Sequence, residues 1–238
     1  MANRLYVTGD THGDMDIRKI YQWVKTTPDL SYEDILFIAG DWGGLWYSNK
    51  IKNQKEILDF FQKLPCTIAV IPGNHENYNL IESYPVDYWK GVEAEARQIC
   101  DNIFIIQHGE VLNIDGTTIW CFGGAESIDK ANRIPYVSWW PQEVPTSNDM
   151  FNGELNFEIY ARVDYVITHT CPRHCLAPLF ECGQYENGTQ YIVEKYLDYI
   201  SEKFRFNQWF HGHHHLDKNY RVDDKLYSGL YQRIIQIR

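Results

Sequence analysis

Five short clusters carry the residues suited to chemistry: Asp10-Thr11-His12, Gly40-Asp41, Gly73-Asn74-His75-Glu76, Thr168-His169 and Gly212-His213-His214-His215. Their carboxylate, carboxamide and imidazole donors suffice for two divalent cations sharing one carboxylate. Such a pair suits the attack of metal-bound hydroxide on a phosphoester. A centre of that kind needs hard anionic oxygen as the bridge, neutral imidazoles to complete each shell, and an open position for water and substrate. Asp10 and His12 stand two apart where regular pleating ends, so both can turn toward one ion. Asp41 is the natural bridge, because Gly40, Gly43 and Gly44 beside it carry no side chain to obstruct a metal or phosphate.

Nearly all the clusters follow runs that read as buried strands. Arg4–Thr8, Asp34–Ala39 and Thr67–Ile71 are short and apolar, and the stretches between them have helical spacing, a βαβαβ pattern. The spacing predicts a helix over Asp14–Lys25 with Ile17, Ile20, Tyr21 and Val24 on one face, and a second over Ile51–Leu64 with Ile57, Leu58, Phe60, Phe61 and Leu64. Asn102–Ile106, Glu110–Ile114 and Thr118–Phe122 read as strands that begin a second sheet, the last two joined by the turn Asp115-Gly116. Helical spacing returns in Glu154–Arg162 and Gln190–Phe204, each before a strand, Tyr165–Thr168 and Gln208–His211, that ends in a histidine cluster. The tail reads as strands over Asn219–Val222, Lys225–Ser228 and Tyr231–Ile237, with a turn at Asp223-Asp224. In open α/β sheets ligands collect outside the carboxyl ends of strands, where these clusters fall.

Taken in order, the clusters resemble the calcineurin-like metallophosphoesterase superfamily, whose pattern runs Asp-x-His, Gly-Asp, Gly-Asn-His-Asp/Glu, His and Gly-His-x-His. All five blocks are present, in that order, between residues 10 and 215. The resemblance implies a four-layer α/β/β/α sandwich of two mixed sheets flanked by helices, with residues 1–238 as a single domain. It implies that Asp10, His12, Asp41 and His215 hold one metal and that Asp41, Asn74, His169 and His213 hold the other. His75 is similar to the family's catalytic histidine, which contacts substrate and protonates the leaving alkoxide; a histidine committed to a metal could not do so. The implied reaction is in-line attack by a bridging hydroxide on a phosphomonoester or phosphodiester. Two transition-metal ions are expected, manganese first, with iron, zinc, cobalt or nickel as alternatives to it.

Within the superfamily, Gly9-Asp10-Thr11-His12-Gly13 and Gly73-Asn74-His75-Glu76 are similar to the Ser/Thr protein phosphatases. That branch carries Asp-Arg-Gly in the second block, where this chain has Asp41-Trp42-Gly43-Gly44 and no arginine. Thr168-His169-Thr170-Cys171-Pro172 looks more like the small, broad-specificity bacterial or phage phosphodiesterases.

Bulk properties narrow the field. The 238 residues are 44% hydrophobic and carry a net charge of −10. That charge weighs against a nuclease, the alternative reading, because nucleic-acid affinity rests on Lys and Arg neutralising phosphates. A small molecule or nucleotide remains the expected substrate, and a non-enzymatic scaffold is the least favoured reading because every ligand and His75 is retained. No run approaches the ~18 apolar residues of a membrane span, and no signal-peptide pattern precedes the first strand, so a cytoplasmic protein is expected. Six cysteines in such a chain are expected as free thiols, and Cys171-Pro-Arg-His174-Cys175 matches neither a zinc-knuckle nor a redox spacing. Nothing in the sequence sets an oligomeric state.

Other residues invite two readings. His211 is expected as a strand or supporting residue, His214 in a loop, His108 in a turn, and His174 at the surface or the site rim. The long aromatic segment Gly123 to Trp140 either forms a rim in which Arg133 meets phosphate and Trp139 and Trp140 contact an organic moiety, or plugs the sheet. Trp42 and Trp46 beside Asp41 pose the same choice.

Overall fold

Strands whose residues are apolar on both faces must be covered on both faces. The first three meet that condition: β1 (Leu5–Thr8), β2 (Ile35–Ala39) and β3 (Thr67–Ile71) are buried throughout. They are connected through helices α1 (Arg18–Thr26) and α2 (Ile51–Gln62), and β1, β2 and β3 run parallel in that order. In the computed structural model the described residues are 3–46, 51–182 and 191–238, without the side chains of 51–54; Met1, Ala2 and Gln190 lie outside them.

After β3 come the short helix α3 (Tyr78–Glu82) and the strands β4 (Val86–Trp89), β5 (Ala94–Cys100) and β6 (Ile103–Ile106). β6 pairs parallel with β3, so it completes the first sheet and does not begin the second as the sequence suggested. β4 and β5, which sequence reading missed, extend that sheet as antiparallel edge strands. β4 lacks the apolar alternation that would reveal it, since Val86, Asp87 and Tyr88 are all exposed.

The second sheet starts with β7 (Val111–Ile114) and β8 (Thr117–Phe122), joined at Asp115-Gly116, both with positive φ as a type I′ hairpin requires. Helix α4 (Ser147–Tyr160) starts a full two turns before the expected Glu154, because Thr146 and Asp149 form a capping box at its N-terminus. It leads to β9 (Arg162–Thr168), followed by α5 (Leu176–Phe180), α6 (Ile192–Lys203), β10 (Arg205–His211), β11 (Lys218–Val222) and β12 (Lys225–Gly229). The sheet order is β11-β12-β10-β9-β8-β7, with β8, β9, β10 and β12 mutually parallel.

The expected tail strand Tyr231–Ile237 shrinks to β13 (Ile235–Gln236), antiparallel to β1 in the first sheet. The cause is local. The backbone N–H groups of Tyr231, Gln232 and Arg233 donate to the Asp217 carboxylate, which removes them from any ladder.

Strand alternation then builds the layers. Val7, Phe37, Ala39 and Ile71 meet Ile119, Cys121, Ile167 and Phe210 between the two sheets. Tyr6, Leu36, Ile38 and Val70 face outward onto Ile20, Ile57 and Phe61 of α1 and α2. On the other side Trp120, Val166 and Trp209 pack against Phe157 of α4 and Val193, Leu197 and Ile200 of α6. The result is the expected α/β/β/α sandwich. Tyr21, expected on the packed face of α1, is exposed; the helix starts only at Arg18 and turns Trp23 onto Tyr6 instead. Among the described residues no helix is long and apolar enough to cross a membrane.

Candidate metal centre

The carboxyl ends of β1, β2 and β3 in one sheet and of β9 and β10 in the other open toward one place, and each of the five clusters continues from one of them. The backbone there is bent hard. His12, Asp41, His213 and His215 all have positive φ, between 44° and 65°, a conformation that costs a non-glycine residue energy and is found preferentially where function demands it. Two glycines permit the convergence. A Cβ on Gly40 would lie 2.0 Å from His169 Nδ1, and one on Gly73 would lie 2.2 Å from Asp41 Oδ1.

Three donor groups among the described residues have ligand atoms within 4.8 Å of one another; two draw on the expected ligands, Asp10 with His12 and His215, and Asp41 with His169 and His213, and the third is Cys171 with His211 and His214. Asp41 links the first two: its Oδ2 is 3.4 Å from His12 Nε2 and its Oδ1 is 3.4 Å from His169 Nε2. Asn74 joins the second group, with Oδ1 2.8 Å from His169 Nε2. His215 Nε2 lies 3.8 Å from Asp10 Oδ1. All seven sequence-derived ligand candidates are thus in one cluster.

Whether this set suits cations can be asked of the atoms themselves. His169 Nδ1 lies 2.9 Å from the Ala39 carbonyl, which can only accept, so Nδ1 carries a proton and Nε2 is the nitrogen turned toward the other donors. Nε2 faces the Asn74 carbonyl oxygen at 2.8 Å and the Asp41 carboxylate at 3.4 Å. A ring nitrogen set against two oxygen acceptors calls for positive charge among them, which a proton or a divalent cation supplies. His12 is oriented likewise: Nδ1 meets Asp16 Oδ2 at 2.8 Å, and Asp16 Oδ1 accepts from Tyr231 Oη at 2.9 Å, which leaves Nε2 toward Asp41.

The charges show the same demand. Burial, together with the nearby Asp41 charge, lifts the Asp10 carboxyl to about 6 although His169, His12 and Lys19 pull it down. For Asp41 burial also favours the neutral acid, but His169 and His12 outweigh it and hold the carboxylate well below the usual range. His12, despite burial, is raised to about 9 by Asp41, Asp10 and Asp16. Burial and His169 press His213 down to about 3, so it is neutral and available as a ligand. The donor set therefore fits divalent transition metals.

His75 belongs to none of the three groups. Its backbone N–H donates to Asp41 Oδ1 at 2.7 Å, while its ring faces Arg133, with Nδ1 3.0 Å from one guanidinium nitrogen and Nε2 3.4 Å from the other. Arg133 is anchored by Asp129 at 2.8 Å and by the Ser138 carbonyl. Burial and the Arg133 charge lower the His75 pKa, against the pull of Asp41. A cavity of about 360 Å³ opens over the site, lined by Asp41, Asn74, His75, Arg133, His213 and His215 together with Glu126, Asp129, Tyr191 and Glu194.

The two readings of the aromatic segment divide by residue. Trp140 and Trp42 are fully buried and are plugs. Trp46 stands between Trp140 and the site, its ring 5.8 Å from His75 and 5.7 Å from Trp140. His211 is buried at the end of β10 with Nε2 on Tyr220 Oη at 2.8 Å, and His214 lies against Cys171 Sγ at 3.4 Å, more enclosed than a loop residue was expected to be. His174 pairs with Asp198 at 2.7 Å, and His108 is a half-buried acceptor for Gly123 N–H.

Sequence reading assigned no role to four supporting residues. Asp16 and Tyr231 orient His12, as above. Lys19 reaches from α1 to donate to the carbonyls of Gly9, Asp10 and Tyr231, which fixes the turn that carries Asp10. Glu76, wholly buried, accepts from Trp42 N–H at 2.7 Å, and burial with the Asp41 charge raises it to about 8. Only Glu76, next to His75 in a motif, could have been singled out beforehand.

The sequence profile of the calcineurin-like phosphoesterase family matches residues 3–217, and the chain belongs to that family. That family is one of phosphoesterases. Among curated proteins, none matches the chain. Solved structures share its fold: a protein assigned as a 5′-nucleotidase from Staphylococcus aureus superposes with a TM-score of 0.51 at 12% identity, covering 96% of this chain and 48% of that one. The chain thus spans about half the length of that protein. A phosphopantetheinyl hydrolase from Mycobacterium tuberculosis matches at 15% identity over 99% of this chain and 96% of its own, with a TM-score of 0.43.

Proposed function

We propose that this chain is a dinuclear phosphoesterase acting on a phosphomonoester or phosphodiester of a small molecule or nucleotide. The observation that carries the proposal is Asp41, whose two oxygens face two separate histidine groups at equal distance. Asp10, His12, Asp41 and His215 would hold one cation, and Asp41, Asn74, His169 and His213 the other. When bound, the cations would polarise the phosphoryl oxygens and make a bound water acidic enough to serve as nucleophile. Manganese is the first choice for the mixed imidazole, carboxylate and amide set, ahead of magnesium or calcium.

The chain's own residues supply the rest. Arg133, with Asn74, meets the phosphate from the open side of the cavity. An incoming phosphate is a better partner for the guanidinium than a neutral imidazole, so its arrival frees a His75 ring nitrogen to hold a proton at the leaving oxygen. The exposed apolar residues Ile128, Ile134, Tyr136 and Val137 beside Arg133 suit an organic moiety on the leaving group. Protein phosphatase activity is disfavoured because Trp42, at the position where that branch carries its arginine, is buried against Phe61. Six unbonded thiols suit a cytoplasmic location.

An activity panel with added manganese tests the proposal, comparing an aryl phosphomonoester, an aryl diester, a cyclic nucleotide and single-stranded DNA. Hydrolysis of the small esters is expected. Preference for the DNA would favour the nuclease reading, and no turnover with manganese, zinc, cobalt or iron would overturn the proposal. His75→Ala should lower kcat by roughly 10²–10⁴-fold with metal content unchanged; loss of the metals would show its role misassigned.

A further inference from the structure

We infer that Ser127 and Glu143 form a buried relay that dictates which end of the Asn74 carboxamide faces the second cation, and so keep that half of the site ready for metal. The inference rests on Asn74 being a ligand, as proposed above.

All three residues are buried, Glu143 being 0% exposed, Asn74 3% and Ser127 4%, with Asn74 and Ser127 at the floor of the cavity. Glu143 accepts twice from Ser127, from its N–H at 2.8 Å and its hydroxyl at 2.5 Å. A hydroxyl has one proton, and here it is committed to a carboxylate. Toward Asn74 the Ser127 oxygen can therefore only accept, and it meets the Asn74 amide nitrogen at 3.0 Å. The opposite end of the amide, Oδ1, is then fixed toward His169 Nε2.

The two ends of a carboxamide are nearly identical in shape, so packing alone does not choose between them. Wherever Nε2 carries no proton and no metal, the flipped amide would be preferred locally, because its NH2 would donate to the ring nitrogen. That hydrogen bond would quench the site. Glu143 prevents it from behind: a flipped amide would set a carbonyl oxygen against the lone pairs of Ser127 Oγ. Ser127 and Glu143 are positioning residues, acting on the cation through Asn74 alone. Both lie in the segment between β8 and α4, so the chain that rims the cavity also sets one ligand.

The test is a manganese titration of the metal-free full chain, read by calorimetry and by electron paramagnetic resonance. Asn74→Ala sets the reference, with loss of the second ion. Ser127→Ala is expected to weaken the second ion by about 10–100-fold and leave the first unchanged, the usual cost of removing a ligand's supporting hydrogen bond. Its resonance spectrum at two equivalents should show an uncoupled manganese ion where the parent shows a coupled pair. Ser127→Thr, which keeps the hydroxyl, should restore the coupled signal. If Ser127→Ala does not fold, Glu143→Gln carries the same expectation. Parent-like binding of both ions by Ser127→Ala, or equal weakening of both, overturns the relay while Asn74→Ala still loses an ion. Retention of both ions by Asn74→Ala overturns the ligand assignment and the relay with it.

Discussion

The two halves of the candidate centre are built differently. The half around His169, Asn74 and Asp41 is closed: the His169 side chain is 0% exposed, its ring is tied to a main-chain carbonyl, and Asn74 is backed by a buried carboxylate. The half around His12, Asp10 and His215 opens at His215, whose side chain is 47% exposed and whose ring stacks on Tyr231, while Asp10 beneath it is buried. Its orienting partners, Asp16 and Tyr231, come from the approach to α1 and from the tail, and are half-buried. A closed set of fixed donors has less to reorganise when an ion binds, whereas an exposed set must be ordered at that moment. The comparison teaches that one ion should be resident and the other exchangeable.

Breaking the shared residue should abolish the contrast altogether. Asp41→Ala is expected to lose both ions together, measured as metal content after gel filtration; retention of one ion would show that Asp41 is no bridge. Next in size, His169→Ala and His215→Ala should part company. The first should remove the tightly held ion, and the second only the ion displaced fastest by chelator, so chelator-release kinetics that lose the same phase in both variants would contradict an asymmetric centre.

Acid should strike the open half first. In the metal-free fold the Asp10 carboxyl is raised to about 6, above its unfolded value of roughly 4. This group therefore adds stability to the metal-free protein that is full below the unfolded pKa and is lost as pH rises through about 6. A cation requires the carboxylate instead. Manganese should thus raise the melting temperature more at pH ~7 than at pH ~5, and an equal rise at both would refute the raised Asp10. The smallest effect belongs to Asp16→Asn, which weakens the hold on His12: the exchangeable ion should bind about 10-fold more weakly while the resident ion is untouched.

Much of the fold was legible because its signals are local. β1, β2 and β3 are short apolar runs, and the Asp-Gly turn between β7 and β8 needs only two residues with positive φ. What escaped was set elsewhere. The sheet to which β6 belongs depends on pairing with β3, and β5 shows only small residues, Ala94 and Ala96, on its covered face. The tail strand failed because Asp217, fourteen residues before Tyr231, took its backbone donors.

The sequence by itself determined which side chains could bind metal and the order in which strands deliver them, since residue type and strand-end position are properties of short segments. Only the tertiary structure decided how those side chains are aimed. Lys19 meets a carbonyl 212 residues away, Asp16 meets Tyr231 across 215, and Asn74 meets Ser127 across 53. A hydrogen bond between such distant residues leaves no periodicity to read, because it exists only where folding has brought a donor and an acceptor to the same place.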